Sequence, residues 1–168
     1  MAVFRITSFT KVANLAKKSI RYITHRRGRD GKSVTRQLFG REGGSDKTEA
    51  YAKIDKVLRG TTFFRMMISP DPLTEDTLKD LDLREIMDQT MLALQSKYPK
   101  QQLEYFAAIH NDHTDKRHVH VVALLRGRLT TDHLRELRTT ATQQALSPYS
   151  ARPGSAAYNF FARSFCLL

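Results

Sequence analysis

Only one cysteine, Cys166, occurs in the 168 residues, so no disulfide can close within the chain and a cysteine-rich metal knuckle is excluded. That scarcity fits a reducing cytoplasm, the expected compartment. Long apolar runs are missing too. No stretch approaches the length that crosses a bilayer, and the opening MAVFRITSFTKVANLAKK lacks the continuous apolar centre of a secretory signal. Without a strongly amphipathic helix carrying an aromatic insertion face, membrane insertion is not expected. Internal repeats and low-complexity tracts are absent. The segment REGGSDKT (41–48) is not a phosphate loop, because its glycines and its Lys-Thr pair stand at the wrong intervals.

Acidic residues are also in short supply, 17 against 28 Lys and Arg, for a net charge of +11. The shortage is local: residues 1–60 hold fifteen basic and five acidic side chains, whereas the remainder holds thirteen and twelve. A concentrated basic surface is the footprint of a polyanion partner, since each phosphate contact by Lys or Arg releases condensed counterions. A merely solubilising surface is the plainer alternative.

The apolar residues that are present recur periodically, and 168 residues suffice for one domain with a real core. AVFRIT (2–7) reads as a strand. A helix over 11–25 follows, with Val12, Leu15, Ala16, Ser19, Ile20 and Ile23 on one stripe and Tyr22 at its edge. SVTRQLFG (33–40) contains a short strand, REGGSDKT a loop, and 47–58 a helix with Tyr51, Ile54, Val57 and Leu58 inward. TTFFRMMIS (61–69) alternates, placing Phe64, Met66 and Ile68 on one face and Arg65, Met67 and Ser69 on the other. Leu83, Ile86, Met87, Met91, Leu94 and Tyr98 trace another helical stripe, preceded by a short helix ending near Leu81. Strands at 101–110 and 117–125 form an antiparallel hairpin, and Leu134, Leu137, Ala141 and Ala145 mark a final helix. The expected fold is α+β, a two-layer sandwich with a central, mainly antiparallel sheet and helices packed on it. Residues 1–146 form the domain, and 147–168 are a tail that packs back on it or leads toward a further region.

Four of the six histidines fall within IHNDHTDKRHVHVV (109–122). In a strand, alternate side chains share a face, so His118 and His120 project together about 6 to 7 Å apart. His110 ends the preceding strand, across the hairpin. Three imidazoles on a two-strand ledge make a facial metal site with open positions. His113, in the polar turn NDHTDK, is the rival third ligand. Asp112 orients a ligand histidine through its second nitrogen, or caps the turn. Three neutral ligands leave the ion's charge uncompensated, which suits an anionic phosphodiester.

An early helix carrying RYIT (21–24), a strand ending in Ser within MMISPDP, and H-x-D (110–112) followed by H-hydrophobic-H (118–120) together resemble the relaxases of the HUH endonuclease superfamily. The likeness is to the MobP-type mobilisation relaxases with a single amino-terminal tyrosine. The resemblance implies site- and strand-specific nicking and rejoining of DNA in plasmid conjugation. Tyr22 would attack a single-stranded phosphodiester to give a 5′-phosphotyrosine link. His110, His118 and His120 would hold Mg2+ or Mn2+, and Ser69 would contact DNA near the nick. Single-stranded DNA at an origin of transfer is the implied partner, with accessory relaxosome and coupling proteins. A phenol is a weak nucleophile at neutral pH and needs positive charge or a base beside it; Arg21, Arg26, Arg27 and Arg29 can supply the charge, and Asp112 is the candidate base. Two other readings stand alongside: a metal-dependent nuclease or phosphodiesterase that uses water, and a non-catalytic basic module for single-stranded nucleic acid.

Overall fold

The computed structural model describes residues 2–112 and 114–147. The tail beyond 147, with Cys166, Tyr149 and Tyr158, and the alternative ligand His113 lie outside the described residues. The elements run β1 (Val3–Thr10), α1 (Ala13–His25), β2 (Leu38–Gly40), β3 (Gly43–Ser45), α2 (Lys47–Asp55), β4 (Thr62–Ser69), α3 (Leu83–Ser96), β5 (Glu104–His110), β6 (His118–Leu125) and α4 (Thr131–Leu146). One six-stranded sheet has the order β1-β4-β6-β5-β2-β3, and every pairing in it is antiparallel. The expected α+β class and antiparallel sheet are therefore found.

Helix-on-sheet packing occurs on both faces. On one, Met87, Met91 and Leu94 of α3 and Leu137 and Ala141 of α4 cover Phe4, Met66, Ile68, Val119 and Val121. On the other, Ala16, Ile20 and Ile23 of α1 and Ala50 and Ile54 of α2 cover Phe63, Phe106, Ala108, Val122 and Leu124. β6 is central, and all eight of its residues are buried, which is why its apolar run is nearly continuous. The helix starts are fixed by side-chain caps: Asp46 accepts from Glu49 N, Asp82 from Arg84 N and Glu85 N, and Thr130 from His133 N. Gly40 allows β2 to press against β5, since a Cβ there would stand 2.7 Å from the Tyr105 carbonyl oxygen.

Three expectations are corrected. The loop at 41–48 contains the short strand β3, paired with β2. The second helix stops at Asp55, and Leu58, expected inward, is 62% exposed. The segment before α3 is a run of turns, not a helix. The Asp71 carbonyl accepts from Glu75 N and Asp76 N, the Asp76 carboxylate accepts from Leu81 N, and Arg117 pairs with Asp76. A tertiary ion pair and the side-chain acceptor thus replace the helical ladder. No described helix is long and apolar enough to cross a membrane.

Candidate metal centre and its cationic cleft

The hairpin register places His110 directly opposite His118, with His120 two residues along on the same face. The three ring centroids lie 4.7 to 5.2 Å apart, and one ligand nitrogen from each can be chosen so that all lie within 4.8 Å of one another. All three histidines are buried. They are the group of described residues able to hold a metal ion.

Neighbouring carbonyls orient two of the rings. His110 Nε2 lies 2.8 Å from the Ile23 carbonyl oxygen, and His118 Nδ1 lies 2.9 Å from the Lys116 carbonyl oxygen. Each of these nitrogens therefore carries the proton and donates, which makes His110 Nδ1 and His118 Nε2 the lone-pair nitrogens. His110 Nδ1 and both nitrogens of His120 are buried without a hydrogen-bond partner among the described residues. Orphaned imidazole nitrogens converging on one point fit a bound cation, because a cation satisfies what the protein leaves unmet. Burial pushes the His110 imidazole down to about 4 against the opposing bond to Ile23, with the Arg36 charge adding to the drop. Burial, then the charges of His110, His118, Arg65 and Arg26, push His120 down to about 3. Both rings are neutral at pH 7, the form that ligates.

Tyr22 leaves α1 toward this centre, its ring edge-on to His120 at 5.9 Å between centroids. Two guanidinium groups lie against the ring, Arg26 at 5.4 Å and Arg65 at 4.9 Å from its centroid. The tyrosine also packs at the margin of the α1–α2 core. Beside it opens a cleft of about 560 Å³ lined by Arg5 and Thr7 of β1, Arg65, Met67 and Ser69 of β4, Tyr22 of α1, Arg26 at the end of that helix, and Lys116, His118 and His120. Among the described residues no carboxylate lines it. The site is thus electropositive before any ion is added.

Of the residues expected here, the structure brings together Tyr22, Arg26, Ser69, His118 and His120 at the cleft, with His110 behind them. Ser69 Oγ donates to the Arg117 carbonyl oxygen at 3.4 Å. Arg21, Arg27 and Arg29 are exposed and do not line the cleft; Arg29 pairs with Asp115. Asp112 is held by Arg36, whose Nη2 and Nε donate to its Oδ1 at 2.6 and 3.2 Å. Partial burial pushes the Asp112 carboxyl up, but the hydrogen bonds and charge of Arg36 outweigh this and hold it below the usual carboxylate range. That makes it a poor proton acceptor, and it does not line the cleft. Tyr105 lies on the opposite face, as period two requires, and donates to Asp88 at 2.7 Å; burial and that carboxylate push its phenol up.

Arg5, Arg36, Arg65 and Lys116 were not foreseen as site residues. Arg65 had a visible signal, a charge in the middle of an otherwise apolar strand. Comparison with models of protein families, with curated proteins and with solved structures finds no match.

Proposed function

We propose that the protein is a relaxase-type strand transferase of the HUH superfamily, nicking and rejoining single-stranded DNA at an origin of transfer in plasmid mobilisation. The observation that carries this reading is Tyr22, set edge-on against His120 at 5.9 Å in a cleft lined by cations and, among the described residues, no carboxylate. A divalent ion held by His110, His118 and His120 would supply Lewis-acid polarisation of the scissile phosphate. Of the two ions implied, Mn2+ suits three imidazoles better than Mg2+, which favours oxygen ligands in a rigid octahedron.

Arg26 and Arg65 place positive charge against the ring of the nucleophile, where the phosphate must arrive. Tyr22 Oη attacks phosphorus. The Oη–P bond forms, the P–O3′ bond breaks, the phenol loses its proton and the departing 3′-oxygen gains one. The phosphotyrosine ester conserves the broken bond's energy, so the 3′-hydroxyl can reverse the step without a nucleotide cofactor.

The test incubates the protein with 3′-labelled single strands of randomised sequence and Mn2+, and looks for an adduct that survives SDS. Native protein is expected to give it and Tyr22→Phe to give none. His120→Ala should lower its formation by about a hundredfold or more, the scale of several kcal/mol of lost charge stabilisation. Cleavage without an adduct would favour attack by water, and an undiminished adduct from Tyr22→Phe would remove Tyr22 from the reaction.

A further inference from the structure

Arg65 stands in the middle of β4 and points to the cleft. Its Nε donates to Thr7 Oγ1 at 2.8 Å, and that hydroxyl donates in turn to the Arg65 carbonyl oxygen at 3.1 Å. Thr7 is the extra residue of β1: Ile6 pairs with Met66 and Ser8 with Arg65, leaving Thr7 unmatched. A bulge of this kind re-aims a side chain at the edge of a sheet. Here it turns the Thr7 hydroxyl onto the guanidinium, whose plane is then set beside the Tyr22 ring.

What the lock leaves over is the informative part. Among the described residues Arg65 has no carboxylate partner, and no hydrogen bond engages Nη1 or Nη2. Half-buried at the cleft wall, the guanidinium turns its fork to the open space of the cleft, where an arriving anion can meet it. Two parallel N–H donors on a rigid plane match two oxygens of a phosphate.

We propose that Arg65, held by Thr7, grips a DNA phosphate beside Tyr22 with both terminal nitrogens of its guanidinium. This rests on the reading of single-stranded DNA as the ligand. Arg5 and Lys116, exposed at the same cleft, extend the cationic track, but their longer-ranging charges lack such a fixed fork. Thr7 is a positioning residue, acting through Arg65.

The test measures binding of a fluorescein-labelled oligothymidylate to the whole chain over a series of salt concentrations, beside the Mn2+-dependent adduct assay. Arg65→Gln is expected to weaken binding about tenfold and to make the slope of log affinity against log salt shallower by about 0.7, the share of one phosphate contact on a single strand. Arg65→Lys keeps the charge and should keep the slope, yet bind several-fold more weakly because an ammonium offers no fork. Thr7→Val should do the same. Arg135→Gln, on α4 across the sheet, should change neither quantity. If Arg65→Gln fails to fold by circular dichroism, the Arg65→Lys and Thr7→Val pair decides: full affinity in both overturns the proposal. An unchanged slope in folded Arg65→Gln, or an equal fall in Arg135→Gln, overturns it even where native protein forms the adduct. A shallower slope in Arg65→Gln with no adduct from native protein leaves the phosphate grip standing and sinks the tyrosine reading instead. No binding by native protein removes both.

Discussion

His120 carries two buried ring nitrogens with no hydrogen-bond partner among the described residues, a condition that costs about 1 to 3 kcal/mol for each group left unmet. A cation bound at the lone-pair nitrogen relieves part of that cost, and only in the folded state, so it should stabilise the fold. Mn2+ at a hundred times its dissociation constant is expected to add about 2.7 kcal/mol. That amount raises the melting temperature by several degrees, a shift that chelation reverses and that His120→Ala lacks. Acid acts through the same rings. Unfolded, they titrate near 6.5; folded, His110 and His120 titrate near 4 and 3. Below 6.5 the unfolded chain therefore takes up protons that the native site refuses. Stability of the metal-free protein is fully present above that pH and falls as pH drops toward the folded values, by about 1.4 kcal/mol per pH unit for each ring. Urea midpoints between about pH 7 and pH 4 should show this fall. They should fall less steeply in His120→Ala, and equal steepness would remove the histidines as the cause.

α1 brings Tyr22 to the centre because its last turn is tied down from several sides. His110 Nε2 donates to the Ile23 carbonyl oxygen. Arg36 N donates to the Thr24 carbonyl oxygen, and Arg36 Nη1 to that of Arg26. The same guanidinium grips Asp112, just past the end of β5. Asp112→Ala would strand Arg36, whose side chain is only 5% exposed, while the Asp112 side chain is 28% exposed. The expected destabilisation is roughly 2 kcal/mol, less than for a fully enclosed pair, measured by urea unfolding. Adduct formation should fall further than stability alone accounts for, since the end of α1 loses its anchor. A full-strength adduct from Asp112→Ala would show that the clamp is irrelevant to Tyr22. None of this could be read along the chain. Arg36 sits in a stretch without periodicity, and its partners are 10 and 76 residues away. By contrast α1, α3, β4, β5 and β6 were legible, because each has a sustained stripe or alternation. The turns at 71–82 imitated helical spacing and are held otherwise by Arg117, the residue just before β6.

The molecule has two cores divided by one sheet, with the histidine triad and cleft on the α1 face and α4 on the other. Leu137 is 2% exposed in the far core. Leu137→Ala should cost about 3 kcal/mol through its cavity while the Mn2+-induced shift in melting temperature stays at its native size; a lost shift would mean the cores are coupled through the sheet. The histidine triad was readable because period two and a short hairpin suffice to assemble it. The cleft was not, because only the placement of α1 over β5 and β6 decides which part of that face stays open. For the same reason, part of the basic charge turned up elsewhere than expected. Arg21, Arg27 and Arg29 face solvent, and Arg65 and Lys116, from beyond the basic first third, line the site.

β6 is hydrogen-bonded along both edges, to β4 and to β5. A slip of one residue would swing two imidazoles into the opposite apolar core and two valines into the candidate metal site. Local fraying cannot dismantle the ligand set; it is lost only when the sheet itself opens. The amide protons of His118 and His120 should therefore be among the last in the chain to exchange with heavy water.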